Sequence, residues 1–225
     1  MGKKKKRKKL KIKSVLLVFL FLILLGVIFF LLSLIKVKTF IIKNNKYLTD
    51  EEVLKELNLD DNSSFLLTNS LLMSDDIKDS KLIKDIDFSR NMYLEVTLNV
   101  TEYKMLYYNQ NTKKVMLENE EEIDYKSDNL PVLTNKIEDK DVLKQFNKKM
   151  AKVNLETLNM ISEITYSPNG IDKERFLFSM NDGNYVFLTI TKLTKINDYK
   201  KIVESMEDRK GILYLDYGNY FVPKE

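Results

Sequence analysis

Twenty-two consecutive uncharged residues, at positions 14–35, constrain this chain more than any other feature. As a helix they would span roughly 33 Å at about 1.5 Å per residue, which is enough to cross a hydrocarbon core of about 30 Å. Nine basic residues precede them within positions 1–13. Because basic residues stay on the cytoplasmic side, we expect a basic cytoplasmic tail at 1–13, a transmembrane helix at 14–35 and an extracytoplasmic region from 36 to 225.

Two other interpretations of this segment are weaker. A cleaved signal peptide usually has an apolar region of about 7–15 residues that ends at a small-residue site. Here the run is longer, and it ends in Leu34-Ile35-Lys36, without a small-x-small pair. A basic run can bind nucleic acid, but next to a membrane span it is better explained as a topology signal that contacts anionic lipid. The other residues comprise 28 basic and 33 acidic ones, a net charge of −5, so we expect no nucleic acid.

The residue types that the chain lacks limit its chemistry. There is no His and no Cys, which excludes a Ser-His-Asp triad, a Cys-His dyad, disulfides and thiolate or imidazole metal sites. The densest carboxylates, at 118–122 and 75–76, could act as acid and base if their pKa values differed. Such charge runs are more often solvated turns or helix ends. We therefore expect no catalytic residue, no cofactor, no metal and no small-molecule substrate.

Residues 36–103 predict a small α+β module. An extended run leaves the membrane, and Thr49 with Glu52 then forms a capping box before a helix over 50–58. A second helix is expected over about 70–79.

Two strands complete this module, over 82–89 and 92–101. The second strand alternates strictly, which is typical of a strand with one face on a core. Its predicted core face consists of Met92, Leu94, Val96, Leu98 and Val100. The order β-α-α-β-β places both helices on one face of a three-stranded sheet.

Residues 104–222 predict a mixed β-sheet domain with flanking helices, followed by a tail at 223–225. The pattern favours strands at 104–108 and 115–117, and an edge strand at 130–133 because Pro131 lacks an N–H group. A helix is expected over 139–162.

The last part of this domain predicts a hairpin, a helix and a closing strand. The hairpin spans 175–190 around Asp182-Gly183, a dipeptide that favours tight turns. The helix spans 195–209, with Tyr199, Ile202, Val203 and Met206 on its apolar side and Gly211 as a left-handed cap. A single strand then runs over 212–222, and Pro223 stops it.

In this order of elements the chain resembles the FtsQ/DivIB family of bacterial cell-division proteins, and residues 36–103 resemble a POTRA domain. The segments that carry the resemblance are 39–45 with 48–53, 83–86 with 94–102 and its Val-x-Glu signature, 130–133, and 195–217 with Leu215-Asp216.

The chain departs from the family pattern at three points. Asn44 stands where a turn Gly is common, and Asn tolerates left-handed φ better than most residues. Tyr103 and Met105 replace an Arg and a Pro that often follow Glu102, and Tyr217-Gly218 replaces an Arg that often follows the closing Asp.

The resemblance implies a scaffold and not an enzyme. Such proteins lie in the cell membrane at the division septum and bind two bitopic proteins, of the FtsL type and of the FtsB/DivIC type, which together control septal cell-wall synthases. The family's main contact is at its last helix and last strand, where the partner adds a strand to the sheet. The partner-binding residues expected here are Ile212, Tyr214, Leu215, Asp216, Tyr217, Tyr220 and Phe221.

The residues alone leave two alternatives for the segment 212–221. It is either an exposed apolar edge that a partner strand pairs, or a central strand whose tyrosines pack within its own sheet. Two alternative functions also stay open. One is a membrane-anchored, extracytoplasmic binding module of another envelope complex, and the other is a wall-active enzyme that uses Glu120–Glu122.

Overall fold

The computed structural model describes residues 12–126, 129–205 and 209–224. The chain divides into two compact units, one ending at Glu102 and the other beginning at Tyr103. The first described element of the first unit is helix α1, Ile12–Ser33. Among the described residues, the stretch Val15–Ser33 is the one helix long and apolar enough to cross a membrane, and none of it is buried inside the protein. A helix that is apolar on all sides and exposed fits a single-pass membrane protein.

A three-stranded sheet with two helices forms the rest of the first unit. The sheet order is β1-β3-β2, with β1 parallel and β2 antiparallel to β3. The elements are β1 (Thr39–Lys43), α2 (Asp50–Glu56), α3 (Ser74–Asp79), β2 (Ile83–Arg90) and β3 (Glu95–Glu102). The β-α-α-β-β order is confirmed, although both helices are shorter than their sequence pattern predicts.

The capping box at the start of α2 is confirmed. The Thr49 hydroxyl accepts a hydrogen bond from the Glu52 N–H at 3.3 Å, and the Glu52 carboxylate accepts one from the Thr49 N–H at 2.8 Å. These two bonds satisfy N–H groups that the first turn of a helix leaves unpaired. They fix the start of the helix, which buries Val53, while Leu57 directly after the helix is buried in the same core.

The predicted core face of β3 is right at three positions and wrong at Met92. Val96, Leu98 and Val100 are buried, whereas Met92 is 97% exposed. Leu94 is half-buried and has a left-handed φ of 64°. The cause is the β2–β3 turn, in which the Asn91 side chain accepts hydrogen bonds from the N–H groups of residues 93 and 95. The alternation of a regular strand therefore starts only at Glu95.

Glu102, at the end of the Val-x-Glu signature, holds the connection between β1 and α2. Its carboxylate accepts hydrogen bonds from three successive backbone N–H groups, those of Lys46, Tyr47 and Leu48, at 2.8, 2.9 and 2.9 Å. Hydrogen bonds to an ionised acceptor are stronger than neutral ones. A single side chain thus positions the turn that precedes the capping box.

We expect Glu102→Gln to destabilise the first unit by roughly 1.5–3 kcal/mol, because the amide lacks the charge and one acceptor oxygen. Hydrogen–deuterium exchange of the β1 and β3 amides in the full chain measures this change. Glu56→Gln, on the exposed surface of α2, is the control and should leave exchange unchanged. Equal exchange in the two variants would contradict the role of Glu102.

The described residues of the second unit form a nine-stranded mixed sheet with the order β12-β11-β10-β9-β8-β7-β4-β5-β6. Its strands are β4 (Met105–Asn109), β5 (Lys114–Leu117), β6 (Glu122–Ile123), β7 (Val132–Leu133), β8 (Ile161–Tyr166), β9 (Arg175–Met180), β10 (Tyr185–Thr189), β11 (Gly211–Tyr214) and β12 (Tyr220–Pro223). Its helices are α4 (Lys140–Met150), α5 (Leu155–Leu158), a 3-10 helix (Ile190–Asp198) and α6 (Tyr199–Ser205). The α+β class with a large mixed sheet is confirmed.

Two expectations for the middle of this unit are wrong. The segment at 130–133 is not an edge strand, because β7 lies between β4 and β8. Pro131 precedes β7, where its carbonyl accepts a hydrogen bond from the Tyr108 N–H. The helix expected over 139–162 ends at Met150, because Asn154 caps the separate helix α5. Ile161 and Ile164 then belong to β8 and are buried in the sheet.

The core of the second unit lies between the helices and one face of the sheet. Paired residues form a continuous row on that face, namely Ile164, Phe178, Val186, Leu213 and Phe221. Phe146 of α4 and Tyr199 of α6 are fully buried in the same core. Burial raises the pKa of Tyr199, and its hydroxyl donates to the Asp182 carboxylate.

The helix expected over 195–209 is a 3-10 helix followed by the short helix α6. Tyr199 is buried, and Ile202 and Val203 pack partly against the core, as their spacing predicts. Met206 lies outside the described residues. The Asp182-Gly183 hairpin is confirmed, with Gly183 at a φ of 90°.

Candidate functional site

The predicted closing strand is in fact a hairpin, formed by β11 and β12. Residues 215–219 make the turn between these two strands. The Leu215 N–H, directly after the end of β11, donates to the Phe187 carbonyl on β10 at 2.9 Å. The single strand expected over 212–222 is therefore wrong. The edge of the sheet is β12, and β11 lies one strand inside it.

Gly211 is the first residue of β11 and not a left-handed helix cap. It does not have a positive φ, and it pairs with Pro223. A Cβ atom at this position would overlap the Val222 carbonyl oxygen. Glycine is required here because the backbone of β12 passes so close.

The free edge of β12 has a defined set of polar groups. The register pairs Ile212 with Val222, and the Lys224 N–H donates to the Lys210 carbonyl at 2.8 Å. Because hydrogen-bonded pairs alternate along an antiparallel ladder, the N–H and C=O of Phe221 point away from β11. Pro223 also faces outward, where its missing N–H costs no ladder bond. Within the described residues, no other strand pairs with this edge.

An aromatic row crosses the outer face of the sheet and ends at this edge. The rings of Phe187 and Tyr214 are 5.3 Å apart, and those of Tyr214 and Tyr220 are 4.7 Å apart and nearly parallel. The Arg175 guanidinium lies 3.5 Å from the centroid of the Phe187 ring. Stacked rings and a cation over an aromatic face attract each other. The row connects β10, β11 and β12 and leaves Tyr220 half exposed at the border.

A groove of about 520 Å³ opens on the other side of the same edge. Its floor is apolar and its rim carries one basic and one acidic side chain. The lining residues are Lys195, Asp198, Ile202, Ser205, Leu213, Leu215, Asn219, Tyr220 and Phe221. A strand added to β12 would have one row of side chains above this groove, because successive side chains alternate between the faces.

Two of the expected partner-binding residues hold the turn and are not accessible. Leu215 and Asp216 are buried. The Asp216 carboxylate accepts a hydrogen bond from Arg175 Nε at 2.8 Å, and the Asp216 carbonyl accepts one from Lys192. This buried ion pair attaches the β11–β12 turn to β9.

The other five expected residues are at least partly accessible. Ile212, Tyr214 and Phe221 are half-buried, whereas Tyr217 and Tyr220 are 56% and 52% exposed. The pKa of Tyr217 is raised, first by partial desolvation and then by Asp172 and Asp216. Its hydroxyl therefore stays neutral around pH 7 and can both donate and accept a hydrogen bond.

Sequence reasoning missed several residues of this surface. Phe187 and Val222 lie on its outer face, and Lys195 and Ile202 line the groove. Alternation within the short segments 185–189 and 220–223 was the available signal for the first two. Helical spacing indicates that Ile202 faces an apolar surface but not that it lines a groove, and no local pattern indicates Lys195, which lies on the 3-10 helix.

The carboxylates of the enzyme alternative lie in and beside the β5–β6 turn. Glu120 has a φ of 70°, and Glu120 and Glu121 are exposed. The Glu122 carboxylate accepts hydrogen bonds from Asn109 and Thr112 at 3.0 and 2.9 Å. Among the described residues there is no group of three or more Asp or Glu side chains that could hold a metal ion.

Comparison with known proteins finds similarity over most of the chain. The family described as "POTRA domain, FtsQ-type" matches residues 35–103. The cell division protein DivIB of Listeria monocytogenes is 29% identical over 202 residues, covering 86% of this chain and 75% of the relative. The cell division protein DivIB of Bacillus cytotoxicus is 28% identical over 206 residues, covering 88% and 81% respectively.

One similar solved structure is the major extracytoplasmic domain of the trans isomer of DivIB from Geobacillus stearothermophilus. It covers 48% of this chain and 96% of that domain, with 24% sequence identity and a TM-score of 0.38.

Proposed function

Because the chain is a cell-division protein of the FtsQ/DivIB type with a POTRA domain, we propose that it is a bitopic scaffold of the bacterial divisome. In this proposal it binds FtsL-type and FtsB/DivIC-type proteins at the division septum and helps to control septal peptidoglycan synthesis. The nine basic residues at 1–13 support a cytoplasmic N-terminus, with the POTRA domain at 36–103 and the β domain at 104–222 outside.

The free edge of β12 is the observation that carries the proposal. An FtsB/DivIC-type segment would add a strand there, pairing with the outward N–H and C=O of Phe221. Main-chain pairing supplies affinity in such complexes, and alternating side chains supply specificity. One row of partner side chains would enter the groove beside Ile202, and the other row would continue the aromatic row past Tyr220.

The proposal divides the seven expected residues by role. Tyr217, Tyr220 and Phe221 would contact the partner directly, and Ile212 and Tyr214 would support the outer face next to the contact. Leu215 and Asp216 would act indirectly, by holding the turn at 215–219 in place.

Phe221→Pro tests the strand-addition contact, because it removes the one outward N–H of β12 but no bond to β11. Phe221→Ala is the matched control, since it loses the same ring and keeps the N–H. The proline variant should bind the extracytoplasmic segment of the FtsB/DivIC-type protein roughly tenfold more weakly than the alanine variant, the equivalent of about 1–1.5 kcal/mol for one hydrogen bond.

Calorimetric titration of the full chain in detergent measures this difference, after circular dichroism has confirmed that both variants fold. If the two variants bind equally well and both support division, the partner does not pair with β12. The contact would then have to be sought on the POTRA domain.

A further inference from the structure

Exposed hydrophobic side chains of the POTRA domain are confined to two loops. The structure describes every residue from 36 to 102. Within this range, the large hydrophobic side chains that are exposed are Leu67, Leu71, Leu72, Met92 and Tyr93. The first three belong to the segment 63–73 before α3, here called the leucine loop, and the last two belong to the β2–β3 turn at 91–94. Leu71 is 82% and Met92 is 97% exposed, so neither contributes to the core.

Strand directions place the β2–β3 turn at the end of the domain where the chain leaves α1. The chain enters the domain at the start of β1, six residues after the end of α1. Because β3 is parallel to β1, with Glu95 opposite Thr39, β3 starts at this same end. The antiparallel strand β2 must therefore finish there. A hydrogen bond from the Lys38 N–H to the Leu94 carbonyl, at 2.9 Å, joins the turn to the segment that follows α1.

The leucine loop is attached to the same segment. The Phe65 N–H donates to the Ile35 carbonyl at 2.8 Å, and the Val37 N–H donates to the Ser63 carbonyl at 2.9 Å. Ile35 is the last residue of the apolar run. The Arg90 guanidinium, at the end of β2, lies 5.6 Å from the centroid of the Phe65 ring and so connects the two loops. Both loops are thus fixed beside the point where the chain leaves the membrane span.

We propose that the leucine loop and the β2–β3 turn rest in the interfacial layer of the bilayer that α1 crosses. Tyrosine is enriched at the boundary between headgroups and acyl chains, and leucine is typical of the apolar face of segments that lie in this layer. Residues 34–38 hold the loops next to this layer and so give them a high effective concentration there. A small apolar area is therefore enough to keep the loops inserted in the bilayer. The occupant is lipid, and the inference depends on α1 spanning a membrane but not on the partner contact at β12.

Apolar contact, and not charge, is the expected source of this attachment. Lys36 and Lys38 lie between the span and the loops, but Asp60 and Asp61 precede the leucine loop on the same side. These opposite charges largely offset each other near an anionic surface. The loops should therefore insert equally well with and without anionic lipid, which distinguishes them from a basic membrane-binding patch.

Single nitroxide labels can test the proposal, because the chain contains no Cys. The full chain is reconstituted in phosphatidylcholine vesicles, with or without phosphatidylglycerol, carrying Leu71→Cys or Met92→Cys. Lys46→Cys, exposed at the opposite end of the domain beyond β1, is the control. Collisions of the label with oxygen, which concentrates in lipid, are compared with collisions with a water-soluble nickel complex.

Labels at positions 71 and 92 should collide several-fold more with oxygen, relative to nickel, than the label at 46, in both lipid mixtures. Water-like values at 71 and 92 would overturn the proposal. If those positions become protected only when an FtsL- or FtsB/DivIC-type protein is added, the loops bind protein and the lipid assignment is wrong. Leu72→Cys and Tyr93→Cys replace either site if a labelled variant fails to fold, as judged by circular dichroism.

Discussion

Val96→Asp should unfold the first unit. Val96 is fully buried on the central strand β3, between Phe40 of β1 and Arg90 of β2. An unpaired carboxylate in this position costs several kcal/mol, which is a large share of the stability of a small domain. Hydrogen–deuterium exchange of the full chain should show loss of protection throughout β1, β2 and β3. Protection of β8, β9 and β10 should persist, because the buried residues of the two units form separate clusters.

Thr97→Asp is the matched control for this prediction. Thr97 is the next residue on the same strand, faces away from the core and is half-buried. The charge can reach water from this face, so we expect retained protection with a small destabilisation. Equal loss of protection in the two variants would refute the assignment of a single buried face to β3.

Asp216→Ala should have the second largest effect, on the second unit. The Arg175–Asp216 ion pair is buried, with side-chain exposures of 14% and 2%. Removing one partner leaves an uncompensated buried charge, which typically costs about 3–5 kcal/mol. The turn at 215–219 should detach from β9, and exchange should become fastest in β11 and β12. Denaturant unfolding monitored by exchange of these two strands measures the loss.

Two further variants distinguish the loss of the ion pair from other destabilising effects of the substitution. Glu138→Ala breaks the exposed pair with Lys136, and we expect almost no change, because exposed ion pairs contribute little. The double variant Arg175→Met, Asp216→Leu removes both charges and should regain part of the lost stability. A double variant as unstable as Asp216→Ala would show that side-chain shape, and not charge pairing, holds the turn.

Features that depend on near neighbours were predictable from the sequence. Each of these features depends on residues close together in the sequence. They are the apolar run at 14–35, the capping box of Thr49 and Glu52, and the Asp182-Gly183 hairpin. The expected resemblance to the FtsQ/DivIB family and the α+β class are confirmed. Both were predicted from the order of these local signals and not from any single specific motif.

Predictions from local patterns failed where the same pattern is compatible with two different structures. A single helix was expected over 139–162, yet Ile161 already begins β8, which pairs with β7 and β9 on its two sides. Met92 continues the alternation of β3, but the Asn91 side chain folds it into a turn. In both places a contact outside the periodic pattern decided the outcome.

The membrane span and the order of elements were determined by the sequence itself, because hydrophobicity and capping act over one or two helical turns. The strand that forms the free edge of the large sheet was decided only by the tertiary structure. Arg175 and Asp216 are 41 positions apart, and the groove exists because α6 packs beside β11. The requirement for glycine at position 211 could not be predicted from the sequence either, because it comes from the Val222 carbonyl that lies against this residue in the folded protein. Such contacts join residues whose spacing along the chain carries no signal, so the sequence predicted an edge but not which strand forms it.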